Sequence, residues 1–417
     1  MKIGIIGTGY VGLTLGICLS HCDHQVICTD KDQEKIRSLI NGNLPMHEPK
    51  LLEMLASNNV SFSTHIHEAV QKSEIIFITV GTPQNENGSC DLSHLKKVVE
   101  EIANSINGYK IIVIKSTVPP KTANSIKSSL KKLTKQPFDI VSNPEFLRQG
   151  SAVHDFFHPD RIIIGSDNTE ASKVIGKLYK RITSNILYTD NTSAELIKYA
   201  SNSFLATKIS FINEIANLSE RVGANIKDIE IGMGLDRRIG KNFLSSGLGY
   251  GGSCFPKDIR ALIQVGKESF CDMSIAEATD KTNTMQRQLF LNKIYSKFNS
   301  NLLGVTISIW GLSFKPDTDD IREAPSITII KELLSKGVKI VAYDPKVKKN
   351  SHEVLNKIKL VQDKYSALVG ADALLILTEW DEFRAPDFSK IKVPIIFDGR
   401  RIYNKEEIRR LGIEYVS

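Results

Sequence analysis

Short apolar runs punctuate the first part of the chain at Ile3 to Ile6, Gln25 to Asp30, Ile75 to Val80, Ile111 to Lys115 and Phe138 to Ser142, with helical periodicities such as Leu92 to Ile106 between them. Buried strands alternating with amphipathic helices predict a parallel sheet with crossover helices. From Ser193 the pattern changes. Leu196, Ala200, Phe204, Thr207, Phe211, Ile215, Leu218 and Val222 recur at three- and four-residue spacing, with no Pro or Gly before Gly223. This predicts one long amphipathic helix. About thirty residues at ~1.5 Å each span roughly 45 Å, enough to connect two domains and leave a face for a partner subunit. Helical sequence continues to about Phe298. Val305 to Trp310, Val338 to Tyr343, Ala373 to Leu377 and Pro394 to Phe397 then read as buried strands of a second α/β domain.

The expected fold is therefore α/β: two Rossmann-like, doubly wound parallel-sheet domains joined by a central helical domain with one long helix. The expected boundaries are 1–190, 191–300 and 301–417. A chain of 417 residues, at ~100 to 200 per domain, accommodates two or three such units. The two α/β parts read as a distant duplication, but only the first carries a Gly-rich turn.

Composition narrows the partners. The 54 Lys and Arg exceed the 47 Asp and Glu by 7, interleaved with them rather than grouped in basic blocks. That pattern suits anionic small molecules better than nucleic acid. No apolar run reaches the ~18 to 20 residues of a membrane span, and the five glycines between Lys2 and Leu19 argue against a secretory leader. Six irregularly spaced cysteines fit no disulfide framework, so a reducing cytoplasm is expected. Cys18, His21, Cys22, His24 and Cys28 match no standard ligand spacing, so no metal is expected.

Two stretches carry chemistry. Gly7, Gly9 and Gly12 form GxGxxG between a strand and a helix, serving a tight turn, backbone approach to a pyrophosphate, and helix-strand packing. Asp30, ending the next strand, is placed to accept from ribose hydroxyls and repel a 2′-phosphate, which favours NAD over NADP. Lys31 and Lys35 weaken that discrimination. The second stretch runs from Gly247 to Asp258. Its glycines let the backbone approach a ligand, and Pro256 places Cys254 just before a helix N-terminus, where the dipole and Lys257 favour thiolate. Thr117 and Glu145 stand at strand ends. Lys198 and Asn202, four apart, share one face of the long helix.

These pieces converge on one family. GTGYVGL, the VGTP at Val80 to Pro83, STVPP, SNPEFLRQG, AELIKYASNSFLATKISFINE, GLDRRIG, GYGGSCFPKD and SFKPDTDDIRE run in family order, and the chain resembles the nucleotide-sugar dehydrogenases, most closely the bacterial UDP-glucose 6-dehydrogenases. The resemblance implies NAD-dependent four-electron oxidation of a sugar primary alcohol to a carboxylate, and so a cytoplasmic enzyme supplying UDP-glucuronate for polysaccharide synthesis. Cys254 would add to the aldehyde, giving a thiohemiacetal and then a thioester that water hydrolyses. Lys198 and Asn202 would stabilise the oxyanion, Asp258 and Thr117 organise a water and general base, and Glu145 assist hydrolysis.

The same resemblance implies cofactor contacts from Gly7, Thr8, Gly9, Tyr10, Val11, Gly12, Asp30, Lys35, Val80, Thr82, Thr117, Lys257 and Arg322. UDP-sugar contacts would come from Glu145, Phe146, Leu147, Arg148, Lys198, Asn202, Ser245, Gly247, Gly249, Tyr250, Gly251, Phe314, Lys315 and one of Arg400 and Arg401. Arg238 would reach a neighbouring subunit's substrate, implying a homodimer or larger homo-oligomer. No nucleic acid or membrane partner is expected. Lys35, Lys198, Arg238, Lys257, Lys315 and Arg322 give the positive excess a purpose. The chain departs from the family pattern at Gln149, where many relatives carry a second glutamate, and at Ser246 and Leu248, which replace prolines common before GYGGSC. Alternatives are a GDP-mannose or UDP-N-acetylhexosamine 6-dehydrogenase, a single-oxidation 3-hydroxyacid dehydrogenase, and a non-catalytic NAD-binding regulatory protein.

Overall fold

The structure, a computed structural model, describes residues 1–48, 50–56 and 60–417. Contacts divide these residues into two units: Met1–Ser201 with Ala261–Cys271, and Asn202–Arg260 with Asp272–Ser417.

The first unit is built on eight strands: β1 (Lys2–Ile6), β2 (Gln25–Thr29), β3 (Val60–Ser63), β4 (Ile75–Ile78), β5 (Lys110–Ile114), β6 (Phe138–Ser142), β7 (Ile162–Ser166) and β8 (Ile186–Thr189). They are ordered β3-β2-β1-β4-β5-β6-β7-β8. All neighbours are parallel except β6 and β7, which run antiparallel. Ile75 and Phe77 of β4 enter one buried cluster and Ile76 and Ile78 the opposite one; Ile111 and Val113 separate in the same way from Ile112 and Ile114 of β5. Both faces of these central strands are covered, which is why they read as continuous apolar runs rather than alternating ones. β8 exposes Leu187 and Tyr188 and so lacks that signal, whereas β7, with Ile163 and Ile164 buried, is a short apolar run that the sequence reading passed over.

The second unit holds β9 (Thr306–Trp310), β10 (Lys339–Tyr343), β11 (Lys359–Leu360), β12 (Ala373–Ile376), β13 (Ile395–Asp398) and β14 (Glu414–Val416). These six strands are parallel and ordered β11-β10-β9-β12-β13-β14. Counted from the first strand of each sheet, both follow the dinucleotide-fold order 3-2-1-4-5-6. The repetition extends to the first turn. Gly7 N–H donates to Thr29 O at 2.8 Å and Gly311 N–H to Tyr343 O at 2.8 Å, with φ of 105° and 91°. Asp30 after β2 accepts from Thr8 N–H, and Asp344 after β10 accepts from the Leu312 and Ser313 N–H groups.

The long helix spans Asn191–Val222. The stripe that marks it in the sequence is its exposed side: Leu196, Phe204, Phe211, Leu218 and Val222 all lie on the surface. Its buried side is small and polar, with Ala194, Asn202, Ser203, Ala206, Ser210, Asn213, Ala216 and Ser219, joined by Tyr199 and Ile212. Small side chains admit close packing and carry little hydrophobic signal, so periodicity picks out the opposite face.

Candidate active site

In the first unit, the loop after β1 leads into the helix Tyr10–His21, which has Gly9 at its N-cap and neither a side-chain cap nor an acidic residue in its first turn. Its leading N–H groups are left for an anion. A Cβ on Gly12 would fall 1.9 Å from Gly7 O, whereas one on Gly9 would meet nothing within 4 Å. Gly12 is thus a packing glycine, while Gly9 keeps the approach to the helix N-terminus open. Asp30 accepts from Thr8 N–H at 3.0 Å and Thr8 Oγ1 at 2.7 Å, and pairs with Lys35 at 2.8 Å. Burial acts to raise its carboxyl, but these bonds and one from Asp32 N–H outweigh it and hold the group at about 2. An ionised carboxylate beyond β2 and uncapped N–H groups beside it fit the ribose and pyrophosphate of a dinucleotide.

The segment after β6 carries Glu145 to Arg148. Glu145 pairs with Lys198 at 2.9 Å, both buried. Lys198 is therefore no surface charge. Burial is the largest influence on Glu145 and pushes its carboxyl up, yet Lys198, the Leu147 N–H and Lys115 prevail and hold it below the ordinary range. Phe146 has the Lys198 ammonium 5.1 Å and the Arg161 guanidinium 3.9 Å from its ring centroid. Arg148 pairs with Asp155 at 2.6 Å. Thr117 and Lys198 line one small cavity, and Thr82 Oγ1 donates to Thr117 O at 2.8 Å. Val80 O accepts from Ser116 Oγ at 2.7 Å, which fixes the adjoining loop.

Sequence reasoning missed Glu48 and Lys115. Buried Glu48 accepts from Tyr10 OH at 3.0 Å, Gly150 N–H at 2.7 Å and Ala152 N–H at 2.7 Å, tying the Gly-rich turn to the Glu145 segment. Lys115 donates to Asn143 Oδ1 at 3.0 Å and is drawn down to about 7 by burial. A lone carboxylate in a loop and a lysine ending a strand have no periodic signature.

In the second unit, Cys254 stands one residue before the start of the helix Phe255–Glu268, and its carbonyl accepts from Asp258 N–H at 2.9 Å. Cys254 is exposed, with Ser253 Oγ 3.7 Å from its sulfur. Asp258 is completely buried, accepts from Asn202 Nδ2 at 2.6 Å, and pairs with Lys257. Gly252 N–H donates to Arg322 O at 2.8 Å. Arg322 is held above its usual value, first by its bond to Asp320, with Cys254 among the nearby groups that contribute.

The Ser245 to Gly251 loop is held by its backbone. Gly247 N–H donates to Asn213 Oδ1 at 2.7 Å, and Tyr250 N–H to Asn283 Oδ1 at 2.7 Å; a Cβ on Gly249 would strike that amide at 2.2 Å, and one on Gly251 would meet Glu323 O at 2.4 Å. Ser246 gives both N–H and hydroxyl to Glu230 Oε1, at 2.8 and 2.6 Å, a contact a proline could not make, and Leu248 is buried in the core. Arg400 donates to Leu377 O at 2.7 Å and Phe314 O at 3.1 Å, whereas Arg401 turns to Glu220 at 2.8 Å. Lys315 lies 5.8 Å from the Phe314 ring centroid. Of the six cations singled out in the sequence, Lys35, Lys198, Arg238, Lys257 and Arg322 each pair with a carboxylate, so the positive excess does not stand as bare charge at these positions.

The Gly-rich turn and Asp30 of the first unit define a dinucleotide-binding protein. Family models match three successive parts of the chain: the UDP-glucose/GDP-mannose dehydrogenase NAD binding domain over 1–183, the central domain over 192–285 and the UDP binding domain over 308–405. The chain belongs to the UDP-glucose/GDP-mannose dehydrogenase family. It is 43% identical over 427 residues to the UDP-glucose 6-dehydrogenase TuaD of Bacillus subtilis, covering 100% of this chain and 92% of that one. With the Rickettsia bellii UDP-glucose 6-dehydrogenase it shares 44% identity over 430 residues, covering 100% and 99%. A solved UDP-glucose dehydrogenase from Pyrobaculum islandicum superposes with a TM-score of 0.94 at 32% identity, covering 100% and 96%. NAD is the family's cofactor, and the Gly-rich turn and Asp30 are the residues fitted to hold it. Among the described residues no helix is long and apolar enough to cross a membrane.

Proposed function

We propose that the chain oxidises UDP-glucose to UDP-glucuronate in two successive steps through a covalent adduct on Cys254. The observation that carries this reading is Cys254 at the N-cap of a helix whose first turn presents Lys257 and Asp258, in a chain over 40% identical end to end to UDP-glucose 6-dehydrogenases. Bound NAD would supply the hydride acceptor for each oxidation. Thr8, Tyr10, Val11 and the glycines around them would hold its phosphates, with Lys35, Val80, Thr82, Lys257 and Arg322 as further contacts. Lys198 and Asn202, four apart on one helix, stabilise the alkoxide-like oxygen. Asp258 and Thr117 organise the water and general base, and Glu145 assists water in cleaving the thioester. Holding the aldehyde as a thiohemiacetal prevents its escape between the two oxidations.

UDP is favoured over GDP because the chain is 43% and 44% identical end to end to two UDP-glucose 6-dehydrogenases, against 28% to a solved GDP-mannose dehydrogenase. Arg400, which donates to Phe314 O and pairs with Glu379, is the arginine we assign to the nucleotide sugar; Arg401 turns the other way, to Glu220. A second copy covers the exposed Phe204, Phe211 and Leu218, seven residues apart along the long helix, and Arg238 reaches into that copy's site. The uronate product suits the synthesis of acidic polysaccharides in the cytoplasm. The test is stoichiometry: two NADH per UDP-glucose with an acid product support the reading, and one NADH with an aldehyde or ketone product refutes it. Cys254→Ala should make no acid. UDP-glucose, GDP-mannose and a UDP-N-acetylhexosamine compared at fixed NAD decide the substrate.

A further inference from the structure

The helix Thr122–Leu133 starts just after the Ser116–Pro120 segment, and its N-cap residue Lys121 lies in the left-handed region (φ 73°) with no side-chain cap of its own. The missing cap comes from a distant residue. Glu195, on the long helix, accepts from Ala123 N–H at 2.8 Å and from Ser142 Oγ at 3.3 Å, both through Oε1. One carboxylate oxygen thus ties together the long helix, the end of β6 and the start of the helix that follows Thr117. The other oxygen is unusual. Oε2 is buried and has no hydrogen-bond partner among the described residues, and Glu195 itself is only 3% exposed. The residue lines the same small cavity as Ser116, Thr117 and Lys198. A buried carboxylate oxygen without a donor is costly, and proteins seldom retain one without a use for it.

We propose that Glu195 is a positioning residue for the oxidation: Oε1 fixes the segment that carries Thr117, and Oε2 is the acceptor kept for donors working in the cavity with Thr117 and Lys198. This rests on the catalytic roles proposed above for those two residues.

The protonation of Glu195 is poised for such a part. Burial lifts its carboxyl to about 7, opposed by the N–H groups of Ala123, Lys121 and Thr122 and by the Ser142 hydroxyl. The charged groups around the cavity are Lys198, one turn further along the same helix, and Glu145 and Lys115 on the segments beside it; Lys121 contributes only its backbone. If the acceptor form is the working one, kcat rises with pH through about 7. Lys115, also drawn to about 7, is the competing source of such a limb.

Two substitutions and a control test this. Glu195→Gln keeps the volume and one acceptor oxygen but not the charge; it should lower kcat at least tenfold, abolish the limb near pH 7 and leave NAD affinity, measured by direct titration, within twofold. Lys115→Met should retain the limb. Glu195→Ala should speed amide hydrogen exchange over residues 116–123 at least tenfold while the Gly7–Gly12 turn stays unchanged, a readout that needs no substrate. Unchanged kcat and pH profile in Glu195→Gln, loss of the limb in Lys115→Met alone, or unchanged exchange in Glu195→Ala would each overturn the proposal. If Glu195→Gln does not fold, Ser142→Ala, which removes a donor to the same oxygen but keeps the carboxyl, should move the limb to higher pH, and an unmoved limb would overturn the proposal. If the wild-type chain oxidises no nucleotide sugar, the proposed function fails and the exchange measurement alone decides the role of Glu195.

Discussion

Lys198 and Glu145 form an ion pair of 2.9 Å with side-chain exposures of only 5% and 7%. Removing one member of a buried pair strands the other and costs about 3–5 kcal/mol, whereas replacing both with neutral groups costs far less. Lys198→Met should therefore destabilise the fold by about 3 kcal/mol, and Glu145→Gln in the same chain should recover part of that loss. Glu145 is held below its unfolded value, so its stabilisation is present above that value and fades as pH falls through the folded one. The Lys198→Met deficit should shrink in acid. Urea unfolding of the two single variants and the double variant measures it, and simple additivity would contradict the pairing.

Asn202 Nδ2 lies 2.6 Å from the fully buried Asp258 carboxylate, so a single amide orients the acid in the helix turn that follows Cys254. Losing one preorganised donor from an oxyanion site typically costs 10²–10³ in kcat. Asn202→Ala should show a loss of about that size with KM for UDP-glucose changed only a few-fold. Steady-state kinetics with NAD in excess decides; a KM effect without a kcat effect would make Asn202 a binding residue only.

The glycines of the first turn should separate packing from cofactor approach. Gly12→Ala sets a Cβ 1.9 Å from Gly7 O and 2.5 Å from Thr79 Oγ1, so it should destabilise the unit and remove NAD binding together. Gly9→Ala meets no neighbouring atom within 4 Å and should keep its melting temperature while NAD affinity falls at least tenfold. Thermal melts beside NAD titrations test the contrast, which a shared response of the two variants would erase.

How much of this was legible depends on what each residue does. β1, β4 and β5 announce themselves because both sheet faces are covered, and Cys254 because glycines, Pro256 and Lys257 surround it. The long helix was located correctly within two residues, but its apolar stripe marks the surface rather than the core, since its buried face is made of Ala, Ser and Asn. Glu48, Lys115 and Glu195 were invisible. Each acts through hydrogen bonds to backbone or side chains far away in sequence, and nothing in their local patterns distinguishes them from solvated charges. The similarity of the two first turns, with Asp30 and Asp344 in matching places, also escaped the sequence, because Gly311 lacks the companion glycines that make the first turn recognisable.

The Arg400–Arg401 pair makes a sharp test of side-chain direction. Asp398 accepts from the N–H groups of Arg400 and Ile402, and Arg401 takes a left-handed φ of 52°, so the two guanidinium groups part. Arg400→Ala should raise KM for UDP-glucose at least tenfold and also lower the melting temperature, because it loses the bonds to Leu377 O and Phe314 O and the pair with Glu379. Arg401→Ala should lower the melting temperature, because it breaks the contact with Glu220, and leave KM unchanged. Substrate kinetics and melting curves on both variants check the assignment, and the opposite pattern would exchange the two roles.

Asp30 links cofactor choice to acid stability through one carboxylate. Held at about 2 in the fold, against ~3.9 in an unfolded chain, it contributes about 2–3 kcal/mol at neutral pH. The folded value is the depressed one, so this contribution is complete above about pH 5 and disappears as pH falls toward 2. Asp30→Asn should be less stable than wild type at pH 7 by roughly that amount, and the gap should narrow steadily in urea titrations taken down to pH 3. The same substitution removes the charge that repels a 2′-phosphate and releases Lys35 from its 2.8 Å pair, so the NADP-to-NAD ratio of kcat/KM should rise at least tenfold. A stability gap independent of pH would mean that Asp30 acts by packing, and an unchanged cofactor ratio would place the discrimination elsewhere in the turn.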